Sequence, residues 1–364
     1  MGVLSALAIL AGLIVVHETG HFLAATLQGI RVSSFSIGFG PVLLERQVRG
    51  VQFALRAIPL GGFVGFPDDD DDNDSALAAD DPDRLRNRPL PQRALVIAAG
   101  VLANLLLAWL VLVAQGMVVG IPSGFSAIPG VVVSAVQPEQ PAAMAGLQAG
   151  DRITALGDHS LGGGQDGVTD LVALIQRAPQ QRLPLTVQRD GRDLTLQLTP
   201  ADMGGVGRIG AQLQPNGSET YRTARGPLEV LRQANHDWTL LLRRTVGGFV
   251  TLFSHFGETA GQISGPVKIV EMGASLAQQG GGSLFLFTAL ISINLAVLNA
   301  LPLPLLDGGQ MVLLLLEGLR GRPLPERLEM AFAQSGFVFL VGLSLVLIVK
   351  DTTQLTVVQQ LLGR

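Results

Sequence analysis

The strongest constraint on the fold of this chain is a set of long apolar stretches. Four of them reach about 20 residues, the length of helix that crosses a bilayer at ~1.5 Å per residue. They cover residues 3–25, 94–119, 283–306 and 330–349. Hydrophobic residues make up 48% of the sequence and charged residues 15%, which is unlike an ordinary soluble domain. The sequence therefore predicts a mostly α-helical polytopic membrane protein with about four transmembrane helices, the first of them retained and not cleaved as a signal peptide.

Arginine clusters predict the orientation of these spans. Arginines are concentrated before the second span and between the third and the fourth, and loops rich in arginine stay in the cytoplasm. We therefore expect both termini and residues 120–282 on the exterior face, which in a bacterial inner (plasma) membrane is the periplasmic face. The arginines are Arg84, Arg86, Arg88, Arg93, Arg320, Arg322 and Arg327.

Composition also limits the chemistry and the partners. The chain has no cysteine, so metal binding and catalysis fall to other residue types. The net charge is −4 at pH 7, and no basic patch predicts nucleic-acid binding. The acidic run at 68–74 lacks the glycine and distal glutamate of a calcium loop, so it predicts a solvated loop.

The exterior segment contains one predicted soluble domain, at residues 129–200. Strands are predicted at 131–136, 183–188 and 193–198, the last two joined as a hairpin by the turn residues Asp190 and Gly191. Residues 169–178 have the spacing of a short amphipathic helix. The stretch PAAMAGLQAGDRITALGDHSL, residues 141–161, resembles a PDZ domain, which implies one inserted α+β domain.

Residues 201–282 are expected to be a membrane-associated amphipathic segment. Its apolar part, 228–256, is interrupted by arginines, a histidine and a tryptophan. This pattern favours a helix that lies on or partly in the membrane, and a fifth crossing is the alternative.

The first apolar stretch carries HETGH at residues 17–21. His17 and His21 share one face of a helix at spacing i and i+4, and Glu18 follows the first histidine, which is the arrangement of a zincin. Two imidazoles on one face can bind Zn²⁺, and the glutamate can act as the general base. An accidental copy of the motif is the alternative, but ionisable residues within a membrane span favour a functional site.

A catalytic zinc site needs a third protein ligand, and Asp307 is the candidate. It stands in NALPLPLLDGG, residues 299–309, where two prolines interrupt the helix and two glycines allow close backbone approach. The alternative is a turn aspartate that caps the following helix.

Residues 29–93 contain a predicted β-hairpin on the cytoplasmic side that dips toward the membrane. This prediction rests on the alternation of apolar and polar residues from 32 to 64 and on the turn residues Arg49 and Gly50. Its strand at residues 55–58 could pair with an unwound substrate segment. A plain cytoplasmic hairpin is the alternative. The proposed substrate contacts are Leu55, Arg56, Ala57 and Ile58.

These motifs together resemble the site-2 protease family of intramembrane zinc metalloproteases, in particular the bacterial type with a PDZ domain that cleaves anti-sigma factors. HETGH matches the family's HExxH and NALPLPLLDGG matches its Asn-x-x-Pro-x-Pro-x-Leu-Asp-Gly motif. Further matches are GFGP at 38–41, RAIPLGGFV at 56–64, AAGVLAN at 98–104 and SGP at 264–266. The resemblance implies His17, His21 and Asp307 as zinc ligands, Glu18 as general base, and substrate contacts from Asn294 and Asn299.

The expected organisation follows from these segments. It comprises a first transmembrane helix (1–28), the hairpin region (29–93), a second helix (94–119), the PDZ domain (129–200), the amphipathic segment (201–282), a third helix (283–310) and a fourth helix with the C-terminus (311–364). The expected function is hydrolysis, within the bilayer, of a single-span membrane protein such as an anti-sigma factor. A metal transporter and a non-catalytic PDZ scaffold are the alternatives, and the sequence says nothing about oligomeric state.

Overall fold

The computed structural model describes residues 2–67, 81, 83–256, 265–279 and 281–354, so the acidic run at 68–74 lies outside the described residues. The described helices are α1 Gly2–Leu27, α2 Leu90–Val118, α3 Pro141–Met144, α4 Gly164–Gln176, α5 Pro227–Ser254, α6 Pro266–Gln279, α7 Gly281–Asn299, α8 Asp307–Arg320 and α9 Glu326–Gln354. The strands are β1 Ser34–Val48, β2 Val51–Gly65, β3 Ile121–Val136, β4 Arg152–Leu156, β5 His159–Ser160, β6 Leu183–Arg189, β7 Arg192–Leu198, β8 Ala201–Asp202, β9 Gly207–Arg208 and β10 Ala211–Arg222.

Four of the described helices are long and apolar enough to cross a membrane, as the sequence predicts. They are α1, α2, α7 and α9. α7 ends at Asn299, earlier than the predicted 306. Pro302 and Pro304 follow it, and proline can neither donate a backbone hydrogen bond nor fit into a continuing helix. Asp307 therefore begins a separate helix, α8, that was not predicted as an element of its own.

α2 organises the packing of the membrane helices. Its residues Ala108 and Leu112 form a buried core with Ala234 of α5 and with Ala289 and Ile293 of α7. Two tryptophans attach α5 to α2: the Nε1 of Trp238 donates to the Leu105 carbonyl (3.0 Å), and that of Trp109 donates to Asn235 (2.6 Å). The helix predicted at 228–256 is thus present, and it is not among the four membrane-crossing candidates.

β1 and β2 form a small sheet in which residues 51–55 are central. The hairpin turn at Arg49 and Gly50 has positive φ at both residues (52° and 83°), as a tight turn between twisted strands requires. Residues 34–37 of β1 pair with 52–55 on one side and with 62–65 on the other, and residues 44–48 pair with 51–55. Residues 62–65 of β2 therefore form one edge of the sheet, whereas Leu55 is paired on both sides.

Gly120–Thr223 forms a compact unit of its own, wider than the predicted 129–200. β3 begins at Ile121 and pairs with β10 as far as Arg222, so residues predicted to open the amphipathic segment are strands. The sheet has the order β10-β3-β4-β6-β7, and β5 pairs with β4. The strands predicted at 131–136, 183–188 and 193–198 and the helix predicted at 169–178 are confirmed, apart from the last two helical residues, by β3, β6, β7 and α4.

One ion pair fixes the loop before β4 in this unit. Asp151 is 1% exposed, and Arg189 of β6 donates to both of its carboxylate oxygens at 2.7 Å. The Gln148 amide donates to the same carboxylate. Hydrogen bonding to Asp151 raises the pKa of the Arg189 guanidinium above its usual value, so Arg189 keeps its charge while it holds this loop.

The other unit comprises Met1–Val119 and Ala224–Arg364. A second buried cluster in it joins α1 to the start of α2 and to the small sheet. Its buried members are Ala25, Ile30, Val32 and Val96, and Phe22, Val51, Val64 and Phe66 pack against them. This cluster holds the C-terminal half of α1, which carries HETGH, next to the edge of β2.

Candidate metal centre

α1 presents His17, Glu18 and His21 on the side that faces α2 and the small sheet. His17 and Glu18 are each only 7% exposed, although the helix itself is almost wholly apolar. The two imidazoles stand one turn apart with their Nε2 atoms 3.2 Å from each other. This is the separation expected of two ring nitrogens that point to one common position.

Asp307 closes the cluster from the first turn of α8. Its Oδ2 lies 3.3 Å from the Nε2 of His17 and 3.5 Å from that of His21. That oxygen is buried and has no partner of hydrogen-bonding geometry in the described part of the chain. The capping alternative is not supported, because the N-cap residue is Leu306 and the cap carries no side-chain hydrogen bond.

α8 is anchored to α2 by a second, charged contact. The Arg93 guanidinium lies 2.6 Å from Glu317, which is 6% exposed, and Glu317 also accepts a hydrogen bond from the Leu324 amide. Because Asp307 and Glu317 belong to the same helix, this pair limits how far Asp307 can move relative to α2.

The donor set fits zinc. His17, His21 and Asp307 offer ligand atoms that all lie within 4.8 Å of one another. Two imidazole nitrogens and one carboxylate oxygen are ligand types that zinc accepts, and three protein ligands leave a fourth position open, as in catalytic sites. The buried Asp307 oxygen without a partner is the observation that a cation would explain.

A cavity of about 330 Å³ opens onto this cluster. Residues 61–64 at the edge of β2 form part of its wall, close to Glu18. A Cβ at Gly62 would stand 2.8 Å from the Glu18 Cγ, so only glycine allows this approach. The lining residues are Ile14, His17, Glu18, His21, Gly61, Gly62, Phe63, Val64, Phe66, Leu85, Val96, Ile97, Leu295, Asn299, Leu305, Leu306, Asp307 and Gln310.

The predicted substrate contacts divide into two groups. Asn299 lines the cavity, and its Nδ2 lies 3.3 Å from the Nε2 of His17. Asn294 stands five residues earlier on α7, which turns it to another face of that helix, and it is not among the lining residues. Leu55, Arg56, Ala57 and Ile58 are not among them either, because the strand that reaches the cavity is the later part of β2.

Sequence reasoning missed the contribution of α2. The Val96 carbonyl lies 2.8 Å from the Nδ1 of His21, and the Asn104 side chain lies 3.3 Å from the Nδ1 of His17. A Cβ at Gly100 would stand 2.3 Å from the Nε2 of His21, so glycine makes room for the rings. The signal was an asparagine inside an apolar span, one helical turn after a glycine, because a polar residue at membrane depth favours a functional role.

Comparison with known proteins gives the same assignment. The family model of peptidase family M50 matches residues 5–343. A protein of Nostoc sp. named "Putative zinc metalloprotease all3971" is 48% identical over 361 residues, which cover 98% of this chain and 97% of that protein. "Membrane metalloprotease ARASP, chloroplastic" of Arabidopsis thaliana is 42% identical over 363 residues, 99% of this chain and 80% of that protein.

A solved PDZ domain of an SdrC-like protein from Listeria monocytogenes is 21% identical and covers 24% of this chain and 90% of that one. Its TM-score is 0.22, which is too low to support an argument about the fold, so the PDZ assignment stays a prediction. The family match excludes the transporter and the scaffold as alternatives. The chain is a membrane protein and a zinc-dependent metalloprotease, and it belongs to peptidase family M50, the site-2 proteases.

Proposed function

We propose that this protease hydrolyses a peptide bond in or near the transmembrane segment of a single-span membrane protein, with zinc held by His17, His21 and Asp307. The observation that supports this most directly is the convergence of these three donors on one position, where the buried Asp307 Oδ2 has no hydrogen-bond partner among the described residues. All three lie on helices of the unit formed by Met1–Val119 and Ala224–Arg364.

Glu18 is the proposed general base. Zinc in such a site polarises the peptide carbonyl and makes water more acidic. The Glu18 carboxylate takes the proton of the attacking water and returns it to the leaving amide nitrogen. Asn299 borders the same space, and its Nδ2 can donate to a substrate carbonyl beside His17.

The edge of β2 is the proposed binding site for the unwound substrate. A peptide bond in a membrane helix is hydrogen-bonded and shielded from water, so the helix must open before hydrolysis. Opening exposes backbone groups that cost several kcal/mol each in hydrocarbon unless they find partners. Residues 61–64 line the cavity, and in the described part of the chain residues 62–64 pair only with β1, so their free side can add a substrate strand.

The substrate class follows from this reaction and from the family resemblance. We propose a single-span regulator such as an anti-sigma factor, presented from the bilayer. A bacterial inner membrane is the proposed location, with the unit Gly120–Thr223 on the exterior face. Reporter fusions at Gln165 and at Asp74 test the orientation: we expect an exterior signal from the first and a cytoplasmic signal from the second. A cytoplasmic signal at Gln165 would overturn the four-span arrangement.

Two variants of the purified full-length protein test the assignment of the site. We expect His21→Ala to lose both zinc and cleavage of a single-span substrate in lipid vesicles. Glu18→Gln is expected to keep zinc near one per chain, because it removes no ligand, and to cut at least about 10²-fold more slowly, because an amide cannot accept the proton. Normal cutting by Glu18→Gln would refute the base, and full zinc content in His21→Ala would refute the ligand set.

A further inference from the structure

One face of α2 contacts the rings of both histidines. Val96, Gly100 and Asn104 follow at intervals of four residues and therefore share this face. Val96 and Asn104 contact the Nδ1 atoms of His21 and His17, and Gly100 clears the space between them. Both Nε2 atoms are thereby left to face Asp307.

The contact at His21 selects one tautomer. A backbone carbonyl can only accept a hydrogen bond, so the Nδ1 of His21 carries the proton opposite Val96. Its Nε2 then keeps a lone pair directed at the proposed metal position. A backbone carbonyl that orients a metal-binding histidine in this way is a recurrent feature of metal sites.

His17 has the same requirement and a different partner. For its Nε2 to bind a metal, its Nδ1 must carry the proton and donate it. Asn104 lies 3.3 Å from that Nδ1; it is fully buried, and its Oδ1 has no hydrogen-bond partner in the described part of the chain. A half-turn of the amide exchanges Nδ2 and Oδ1 and brings this unpaired acceptor to the ring proton.

We propose that Asn104 is a positioning residue that accepts the Nδ1 proton of His17 and so holds its Nε2 toward zinc. Loss of Asn104 removes an orienting contact and no ligand, so it weakens metal binding without abolishing it. Ser292 of α7 donates to the backbone carbonyl of Asn104 at 2.8 Å, which fixes that part of α2 against α7. The inference rests on the proposed zinc set and gives a role to Asn104, which ends the family match AAGVLAN and has no predicted role there.

Two substitutions of similar shape distinguish the role of Asn104 as a hydrogen-bond acceptor from its role in packing. Asn104→Asp can only accept a hydrogen bond, whereas Asn104→Leu keeps the number and branching of the heavy atoms and has no polar atom. In the full-length protein in detergent, we expect competition with a chromophoric chelator to show zinc affinity about 10–100-fold lower for Asn104→Leu, the usual effect of losing such a partner. Asn104→Asp is expected to bind zinc at least as tightly as the unsubstituted protein.

A spectroscopic measurement gives a second readout that does not depend on activity. In ¹⁵N-histidine spectra of the metal-free protein, Asn104→Asp should show His17 with the proton on Nδ1. Asn104→Leu should show a larger share of the other tautomer, since the Nε2 proton can then be donated to Asp307. His21→Asn provides the assignment of the two rings.

Two controls make the result decisive. Ser292→Ala removes the neighbouring contact between α7 and α2 without touching His17, so we expect its zinc affinity to change less than twofold. The proposal is overturned if Asn104→Leu binds zinc normally, if Asn104→Asp is as weak as Asn104→Leu, or if Ser292→Ala is equally weak. Zinc retained in His21→Ala would instead overturn the ligand set itself.

Discussion

At the scale of single residues, the centre depends on small side chains as much as on the ligands. Gly62 lets the edge of β2 approach Glu18, and Gly100 lets α2 approach both imidazoles. Neither glycine is needed for a turn, since one lies within a strand and the other within a helix. Their role is to leave space, so adding a single methyl group at either position is an informative change.

Gly100→Ala is expected to weaken zinc binding while the chain still folds. The added Cβ would stand 2.3 Å from the Nε2 of His21 and 2.7 Å from the Cε1 of His17, which forces the rings away from Asp307. We expect zinc affinity to fall at least about 10-fold, the range typical of lost ligand orientation.

Gly12→Ala is the matched control on α1. A Cβ at Gly12 meets nothing within 4 Å, so this substitution should leave zinc binding unchanged. It should also raise helix stability by about 0.5–1 kcal/mol, since alanine is the better helix former. Equal zinc affinity in the two variants, measured by the same competition, would show that the space at Gly100 is not required.

At the scale of elements, β2 has two different functions along its length. Residues 52–55 are paired on both sides and stabilise the sheet, whereas residues 62–64 are paired on one side and border the cavity. The strand pattern in the sequence is the same in both parts, because alternation reports burial and not the number of neighbouring strands. Residues 62–64 are therefore the part beside the cavity that can accept a further strand.

Proline substitutions at Phe63 and Val64 test strand addition. Backbone N–H groups of adjacent strand residues point to opposite sides, so one of the two donates to β1 and the other faces the cavity. We expect the variant that loses the outward N–H to keep zinc and its melting temperature but to cleave at least about 10-fold more slowly. The other variant should lower the melting temperature.

Leu55→Pro is the comparison within the same strand. Leu55 pairs with Ile37 and with Leu44, so proline there should destabilise the sheet and not act on the substrate alone. If both Phe63→Pro and Val64→Pro remain folded and cleave at normal rates, the edge of β2 does not present the substrate, and Asn299 becomes the remaining candidate.

At the scale of the whole molecule, the residues proposed for zinc binding, catalysis and substrate binding all lie outside the unit Gly120–Thr223. None of the proposed ligands, and neither the base nor the β2 edge, lies between residues 120 and 223. The unit has its own buried core, including Val131, Ile153, Leu171 and Leu185. We propose that it acts as a gate that excludes substrates with a bulky exterior part.

Removal of Gly120–Thr223 tests the gate. Ile121 pairs with Arg222, so the two ends of the unit lie side by side and a short Gly-Ser linker can replace it between Val119 and Ala224. We expect unchanged zinc content and cleavage of substrates whose exterior part has not been trimmed. A variant that still refuses untrimmed substrates, or one that loses zinc, would show that the unit does not act as a gate.

The elements and the ligand types could be predicted from the sequence. Long apolar runs predict the membrane-crossing helices, since a helix satisfies its own backbone groups in hydrocarbon, and the spacing of four residues in HETGH brings His17 and His21 to one face. Local rules suffice for both. The same rules correctly predict the turns at Arg49-Gly50 and Asp190-Gly191, because positive φ has a strong residue preference.

Contacts between residues of different helices, and the identity of the strand at the sheet edge, depend on how the folded chain packs. Asn104 contacts His17 although the two residues are 87 positions apart in the sequence. Asp307 is still further from His17 in the sequence. No periodicity encodes such contacts, because they depend on how α2 and α8 pack against α1. Residues 62–65 form an edge for the same reason: residues 34–37 of β1 insert between residues 52–55 and 62–65 of β2, and that insertion is a property of the folded sheet.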